Sequence, residues 1–175
     1  MEIKVNDQIY LSDIREIDAF AYITHFKEKE IYDLTIEIPY PYGEREAQWW
    51  IKAVGEEAKK FGKPLQWAIR NQEGCLIGGI GLLEVKSINT HLAEVGFFLA
   101  KPYWGKGITT NVVRAFSNYV FEEYEIVRLF ARVFSHNHAA KRVLQKCDYL
   151  MEGHMKKRYL KDGKYIDADI YALVR

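Results

Sequence analysis

A short glycine loop, with a strand pattern before it and a helix pattern after it, is the feature that most constrains how this chain can fold. Residues 102–109 read PYWGKGIT. Residues 91–100 read as a strand with Val95, Phe97 and Leu99 on one side and Glu94, Gly96 and Phe98 on the other. Residues 109–124 repeat their apolar side chains with the period of one helical face. The pattern therefore predicts a strand, a loop and a helix that crosses over, right-handed, to a parallel strand at 127–134.

The loop has the composition of an anion-binding turn. Gly105 and Gly107 let the backbone turn sharply and approach a ligand closely. The first turn of the following helix offers N–H groups that lack intrahelical partners, together with the positive end of the helix dipole. These features favour a phosphate or pyrophosphate ligand. Two glycines in an ordinary turn are the alternative.

Three known phosphate-binding loop patterns differ in how well they match these residues. A P-loop fails twice, since Ala100 stands at its first glycine and Gly107 at its Ser/Thr. A dinucleotide-binding GxGxxG loop fails once, since Thr110 stands at its third glycine. The third pattern is a loop that holds the pyrophosphate of coenzyme A (CoA).

The remaining patterns predict a mixed α/β fold. Strands are expected at 8–11, 65–70, 76–85, 91–100, 127–134, 149–159 and 165–174, and later helices at 47–61, 109–124 and 137–147. An earlier helix is expected to begin at a Ser12 or Asp13 cap. Its inward side would carry Ile14, Ile17, Ala21 and Thr24. The expected fold class is a central, mostly antiparallel seven-stranded sheet with one parallel pair and helices on both faces.

Composition predicts one soluble domain over residues 1–175. Apolar residues make up 49% of the chain, which is enough for a core. No apolar run reaches the roughly 18 residues of a membrane span. The N-terminus MEIKVNDQIY has no apolar stretch long enough for a signal peptide. We therefore expect a mature cytoplasmic protein without a membrane partner.

Charge and metal-ligand spacing exclude further classes. A net charge of +1, from 25 basic and 24 acidic residues, gives no support to nucleic-acid binding. Cys75 and Cys147 form no CxxC pair, and we expect two buried, reduced thiols. None of the five histidines has the spacing of a metal ligand, so no metal is expected.

Two blocks of the chain resemble the GNAT acetyltransferase superfamily. Residues 93–99 and 103–108, AEVGFFL and YWGKGI, closely resemble its acyl-CoA motif. Residues 136–149, HNHAAKRVLQKCDY, resemble a second motif of the RimJ/RimL-type branch, which acetylates protein N-termini and has relatives that act on small amines. The matching element order runs from about residue 8 to residue 174. The resemblance implies a GNAT fold and acetyl-CoA as the cosubstrate.

The resemblance also implies which residues bind acetyl-CoA. They are Phe98, Leu99, Ala100, Trp104, Gly105, Lys106, Gly107, Ile108, Thr109, Asn137 and Lys141. Asn137 would hydrogen-bond the pantetheine arm. Lys106 and Lys141 would meet phosphates, with a solvated surface charge as the alternative for each. A backbone N–H within 98–100, assigned to Leu99, would hold the oxyanion.

Candidate acid–base groups follow from the same resemblance. Glu94 occupies the strand position where the family often has a general base, and it would act through water. Its alternative role is a structural salt bridge. Ala140 and Leu144 replace a Ser and an acid-catalyst Tyr of relatives, so the general acid is unassigned.

The loop at 36–43, IEIPYPYG, lies where the family places its acceptor groove. Glu37, Tyr40 and Tyr42 are therefore the candidate acceptor-binding residues, and Glu37 is a second candidate base. Ordinary loop packing is the alternative for the two tyrosines.

Three functions remain open at this point. The chain is expected to transfer acetyl groups directly, in a ternary complex, to a protein or peptide α-amine. It could instead acetylate a small amine such as a polyamine or aminoglycoside, for which acidic residues between 28 and 46 are suggestive. A CoA-binding sensor with little catalysis is the third function, kept open by Ala140 and Leu144. The expected assembly is a monomer or a homodimer.

Overall fold

The computed structural model describes residues 2–83 and 91–175, which form a mixed α/β fold as predicted. The strands are β1 (Glu2–Lys4), β2 (Ile9–Ser12), β3 (Gln66–Asn71), β4 (Leu76–Leu83), β5 (Leu92–Leu99), β6 (Arg128–Phe134), β7 (Leu150–Lys161) and β8 (Lys164–Val174). The helices are α1 (Ala19–His25), α2 (Lys29–Asp33), α3 (Glu44–Phe61), α4 (Ile108–Glu123) and α5 (His138–Lys146), with 3-10 turns at Glu16–Asp18 and Lys101–Tyr103.

The chain divides into two compact units. The first comprises Met1–Gly81 and Phe97–Val112, and the second comprises Leu82–Gly96 and Val113–Arg175. A single domain over 1–175 therefore stays a prediction. No helix within the described ranges is long and apolar enough to cross a membrane.

In the first unit the strands pair in chain order. β1, β2, β3 and β4 are antiparallel neighbours, and β3 supplies the fully buried Trp67, Ala68 and Ile69. An aromatic cluster packs beside them, with the Phe26 ring 4.6 Å from that of Phe98 and 5.7 Å from that of Tyr22. Aromatic pairs at these distances add to the stability that apolar burial provides.

In the second unit the order is β5-β6-β8-β7. The β5–β6 pair is parallel, with Leu92 opposite Arg128, and this confirms the predicted crossover through α4. The β6–β8 and β7–β8 pairs are antiparallel. Val113, Phe116 and Val120 of α4 are fully buried, as its apolar period predicted.

Two elements near the N-terminus were missed and one was misplaced. The described residues hold eight strands rather than seven, because β1 pairs with β2, and the short helix α2 was not predicted. The predicted helix from Ser12 or Asp13 begins only at Ala19. Its proposed inward residue Ile17 is 82% exposed.

The late start of α1 has a long-range cause. The Ser12 hydroxyl accepts a hydrogen bond from Arg70 Nε at 2.6 Å instead of capping a helix. Arg70 Nη2 also donates to the Asp13 carbonyl at 3.1 Å. Bonds from β3 thus hold the segment extended, which the local sequence does not reveal.

Smaller expectations had mixed outcomes. Helix α3 matches its apolar period and ends at Gly62 in the left-handed conformation, as predicted. Cys147 is buried, but Cys75 is exposed, so the expectation of two buried thiols was wrong for Cys75. The predicted strand end at 84–85 lies outside the described residues.

Candidate functional site

The glycine loop connects β5 to α4 through the turn Lys101–Tyr103. Gly105 has φ 75° and Gly107 has φ 74°, both in the left-handed region that favours glycine. A Cβ added at either glycine would meet no atom within 4 Å. Glycine is therefore required here by backbone conformation rather than by lack of space. The same openness leaves the backbone of the loop accessible to a ligand.

The loop leads directly into the N-terminus of α4 at Ile108. Thr109 lies in the first turn, and the Asn111 N–H makes the first helical bond back to the Gly107 carbonyl at 3.2 Å. The N–H groups of a first turn and the helix dipole both favour an anion in front of the helix. The arrangement can thus hold a phosphate or pyrophosphate, and the residues present fit the pyrophosphate of CoA.

Trp104 ties this loop to the end of β5. Its indole Nε1–H donates to the Leu99 carbonyl at 2.6 Å, while its ring remains 40% exposed. The Ala100 N–H donates to the Ile77 carbonyl at 2.8 Å. Ala100 therefore does not supply the oxyanion donor in this arrangement, and the Leu99 N–H stays the predicted one.

Phe98 contributes its side chain to the core. Its ring lies in the cluster with Phe26, and an added Cβ at Gly78 would lie 2.5 Å from the Phe98 carbonyl oxygen. Glycine at 78 thus permits the close approach of β4 to this part of β5. The predicted contact of Phe98 with the cofactor stays a prediction.

A lysine that sequence reasoning missed lies in the turn before the loop. Lys101 Nζ lies 2.6 Å from the Glu30 carboxylate and 3.5 Å from that of Glu28. The hydrogen bond with Glu30 raises the pKa of Lys101 above its usual value. The predicted phosphate ligand Lys106 lies over the Tyr103 ring, 5.5 Å from its centroid. No motif marked Lys101, because both of its partners lie some 70 residues earlier in the chain.

The three acceptor candidates differ in environment. Glu37 and Tyr40 are exposed, and the Tyr40 ring lies 5.1 Å from that of Tyr32. Tyr42 is buried, with its ring edge-on to Phe26 at 4.8 Å. Burial raises the pKa of its phenol to about 12, and the hydroxyl has no hydrogen-bond partner among the described residues. Tyr42 therefore packs into the aromatic cluster, in line with the packing role that the sequence left as its alternative, and its role in acceptor binding stays a prediction.

Glu94 forms a buried ion pair in the second unit. It is 5% exposed, and its Oε1 accepts from the Arg132 Nε at 3.0 Å and from the Arg132 backbone N–H at 3.3 Å. Its Oε2 accepts from Arg132 Nη2. The salt bridge that the sequence left as the alternative is thus present. The assignment of Glu94 as the general base stays a prediction.

Replacing Glu94 with Gln is expected to lower the free energy of unfolding by about 2 kcal/mol, since a hydrogen bond to a charged group is worth about 1.5–3 kcal/mol. At this chain length the melting temperature should fall by about 4–8 °C. The matched control is Glu152→Gln, which breaks the more exposed pair with Arg128 and should cost less than about 1 kcal/mol. Equal melting temperatures for the two variants would contradict the structural role.

The same variant tests the base assignment. Measured below its melting temperature, E94Q should turn over more slowly near neutral pH, and the deficit should shrink as the amine deprotonates at higher pH. Affinity for CoA should be nearly unchanged. Turnover equal to that of the unmodified protein from about pH 6 to about pH 9 would refute the assignment, because a lost base must show at low pH.

Asn137 and Lys141 have structural partners in the second unit. The Asn137 side-chain oxygen accepts from the Ala140 N–H at 3.1 Å and so caps α5. Lys141 Nζ donates to the Ser135 carbonyl at 2.6 Å and to the Asp169 carboxylate at 3.1 Å. Lys141 is therefore not the solvated surface charge that the sequence left as its alternative. Their predicted contacts with CoA remain predictions.

No group of three or more His, Cys, Asp or Glu side chains in residues 2–83 and 91–175 is arranged to hold a metal ion.

Known proteins resemble this chain in sequence and in fold. The sequence model of the family described as "Acetyltransferase (GNAT) domain" matches residues 8–149. The probable N-acetyltransferase YjcK of Bacillus subtilis (strain 168) is 33% identical over 99 residues, which are 57% of this chain and 55% of that protein. The spermidine N(1)-acetyltransferase of Vibrio cholerae serotype O1 is 21% identical over 94% of this chain and 91% of that protein.

Among solved structures, the RimL ribosomal L7/L12 alpha-N-protein acetyltransferase in complex with coenzyme A has a TM-score of 0.89. Its sequence identity is 19%, and the match covers 99% of this chain and 98% of that one. The TM-score over nearly all of both chains shows that the two proteins share a fold, and at 19% identity the match shows the fold alone.

The glycine loop before α4 and the mixed sheet define an α/β protein whose loop has the backbone shape to hold a phosphate. Because the family model matches residues 8–149, most of its length, the chain belongs to the GNAT acetyltransferase family. The predicted superfamily is thereby confirmed. The match to YjcK spans about half the length of that protein, 55%.

Proposed function

We propose that this protein is an acetyl-CoA-dependent N-acetyltransferase that acts on a primary amine, namely the α-amine of a protein or peptide. The observation that carries the proposal is the pair of left-handed glycines, Gly105 and Gly107, directly before the N-terminus of α4. A family member with this open loop has the means to hold the cofactor's pyrophosphate. The structurally similar RimL is described as an acetyltransferase of the ribosomal protein L7/L12, and this similarity supports a protein as the acceptor here.

Each part of the site would contribute a separate task. Bound acetyl-CoA supplies the activated acetyl thioester. The backbone N–H groups of residues 105–109 would hold its pyrophosphate, and the Leu99 N–H would donate to the oxygen that gains negative charge. The neutral acceptor nitrogen would attack the thioester carbonyl carbon directly, in a ternary complex. A C–N bond would form as the C–S bond breaks, and the proton that the nitrogen loses could pass to the departing thiolate. An α-amine has a pKa of about 8 and a lysine amine about 10.4, so an α-amine needs less help from a base at neutral pH.

A small polyamine is the second candidate acceptor. It is favoured by the similarity to a spermidine N(1)-acetyltransferase, which extends over 94% of this chain. The exposed Glu28 and Glu30 on and before α2 offer carboxylates that could attract a cation. Both carboxylates already contact Lys101, which weakens this candidate relative to a protein α-amine.

The first experiment separates CoA binding from other nucleotide binding. Thermal unfolding is recorded with CoA, acetyl-CoA, ATP or NAD in separate samples. A ligand at 100 times its dissociation constant adds about 2.7 kcal/mol of stability. We expect the melting temperature to rise by about 5–10 °C with the two CoA species only. A larger rise with ATP or NAD would overturn the proposed cofactor.

The acceptor is then identified by acetyl transfer. A peptide with a free α-amine is compared with the same peptide blocked at its N-terminus, and with spermidine. Transfer to the free peptide alone supports the proposal. Transfer to the blocked, lysine-containing peptide or to spermidine would move the assignment to a side-chain or polyamine acceptor. No turnover with any acceptor, in a protein that binds CoA, would favour the sensor.

A further inference from the structure

A buried carboxylate lies at the centre of a polar network in the second unit. Asp169 of β8 is 4% exposed. Its Oδ1 accepts from the Ser135 hydroxyl at 2.8 Å and lies 2.7 Å from His154 Nδ1. Its Oδ2 accepts from Lys141 Nζ at 3.1 Å. A buried carboxylate is tolerated only when it is bonded in this way, so the four side chains form one unit.

The network fixes the segment that leads from β6 into α5. Ser135 follows the last residue of β6, and Lys141 lies in the first turns of α5. Lys141 Nζ closes a loop by also donating to the Ser135 carbonyl at 2.6 Å. Between these two anchored residues lies Asn137, whose side chain caps the helix. Asp169 thus contacts the side chains at both ends of the segment that carries Asn137, in addition to the backbone bond from the Asn137 N–H to the Phe134 carbonyl at 2.8 Å.

We propose that Asp169 is a positioning residue for CoA binding, which it supports by fixing the segment 135–141, and that His154 makes this support depend on pH. The inference rests on the proposed function and on the predicted contact of Asn137 with the pantetheine arm. Asp169 touches no part of the reaction itself. Its role is to hold the segment 135–141 in one conformation before CoA binds, which reduces the conformational entropy that the segment loses on binding.

His154 lies between two carboxylates of β8. Its Nδ1 faces Asp169, and its Nε2 lies 3.2 Å from the Asp167 carboxylate. The hydrogen bond with Asp169 is the main reason that the pKa of His154 lies above its usual value. Burial alone would raise the pKa of Asp169, but hydrogen bonds from His154, Ser135 and Lys141 outweigh burial and lower it.

Charged side chains of the neighbouring elements also act on this histidine and its carboxylate partners. Lys141 of α5 faces it across Asp169, and Lys156 of β7 acts on the Asp167 carboxylate. Because the folded pKa of His154 is raised, its contribution to the network is complete below the unfolded value of about 6.5 and is lost as pH rises through the folded pKa. Support of the segment should therefore be strongest in mild acid.

The test compares each variant with the unmodified protein at about pH 6 and about pH 9. Calorimetry gives the dissociation constant for CoA, and steady-state kinetics give kcat and the Michaelis constant for acetyl-CoA. Asp169→Asn should weaken CoA binding about tenfold and change kcat at saturating acetyl-CoA by less than about threefold. His154→Gln should weaken binding at the lower pH and match the unmodified protein at the higher one. The ratio of variant to unmodified protein cancels the titration of the ligand's own phosphate groups.

The matched control is Glu152→Gln. It breaks the ion pair between Arg128 of β6 and Glu152 of β7, neither of which contacts Asp169, so its CoA affinity should be unchanged. If D169N does not fold, S135A replaces it, with about threefold weaker binding expected. Affinity within about twofold of the unmodified protein in the folded variants, at both values of pH, would overturn the inference while leaving the proposed function intact. Failure of the unmodified protein to bind CoA would overturn both.

Discussion

Replacing both loop glycines with alanine, G105A/G107A, is expected to weaken CoA binding about 100-fold. Both residues have the left-handed backbone conformation, with φ 75° at Gly105 and φ 74° at Gly107. An L-residue pays roughly 1–2 kcal/mol in that conformation, and about 1.4 kcal/mol corresponds to a factor of ten in affinity. Since neither Cβ would clash, the loop can relieve the strain by moving away from the shape that holds a pyrophosphate. Calorimetric titration with CoA measures the loss.

The control for this variant is Gly62→Ala. Gly62 ends α3 at φ 71°, and a Cβ there would also meet nothing within 4 Å. The substitution imposes the same backbone strain in the same unit but not at the loop. It should lower the melting temperature to a similar degree per site and leave CoA affinity unchanged. Affinity of G105A/G107A within about threefold of the unmodified protein would show that the loop does not bind the cofactor.

Replacing Arg70 with Met should lower the free energy of unfolding by about 3–5 kcal/mol, because removing one partner of a buried ion pair leaves an uncompensated charge. The side chains of Arg70 and Asp18 are 2% and 4% exposed. Both Asp18 carboxylate oxygens accept from the guanidinium at 2.8 Å. The Ser12 hydroxyl and the Gly74 carbonyl lose their donor as well. The melting temperature should fall by about 6–20 °C.

Two further variants show whether the lost charge pairing causes the effect. Arg128→Met removes a guanidinium from a pair whose carboxylate partner is 40% exposed, and should cost less than about 1 kcal/mol. The double variant R70M/D18L should be more stable than R70M alone, since replacing a whole buried pair by apolar residues is often neutral. A double variant no more stable than R70M would assign the cost to lost packing instead of the unpaired Asp18.

The sequence predicted the parts of the molecule that are determined locally. The strand near 91–100, the loop with its two glycines and the apolar period of α4 all depend on residues a few positions apart, and each was confirmed in the structure. The start of α1 was wrong because Arg70, more than 50 residues away, holds Ser12 and Asp18. A partner at that distance leaves no periodic signal in the segment that it shapes.

The candidate site follows the same division. The left-handed glycines could be anticipated, because only backbone conformation demands them. The bond from the Trp104 indole to the Leu99 carbonyl, the Glu94–Arg132 pair and the Asp169 network were not predicted as contacts. All three depend on side chains that meet only after the strands have paired. From the sequence a salt bridge could be anticipated for Glu94, but its partner Arg132 could not.

The Lys101 contact gives α2 a counter-ion that belongs to the protein itself. All three charged groups are nearly half exposed, so the contact is weak and exchanges readily with solutes. A neutral or singly charged amine passes by without disturbing it, whereas a polycation competes with Lys101 for Glu28 and Glu30. The chain thus carries a built-in competitor against multiply charged amines, and its strength declines as salt screens all of the charges together.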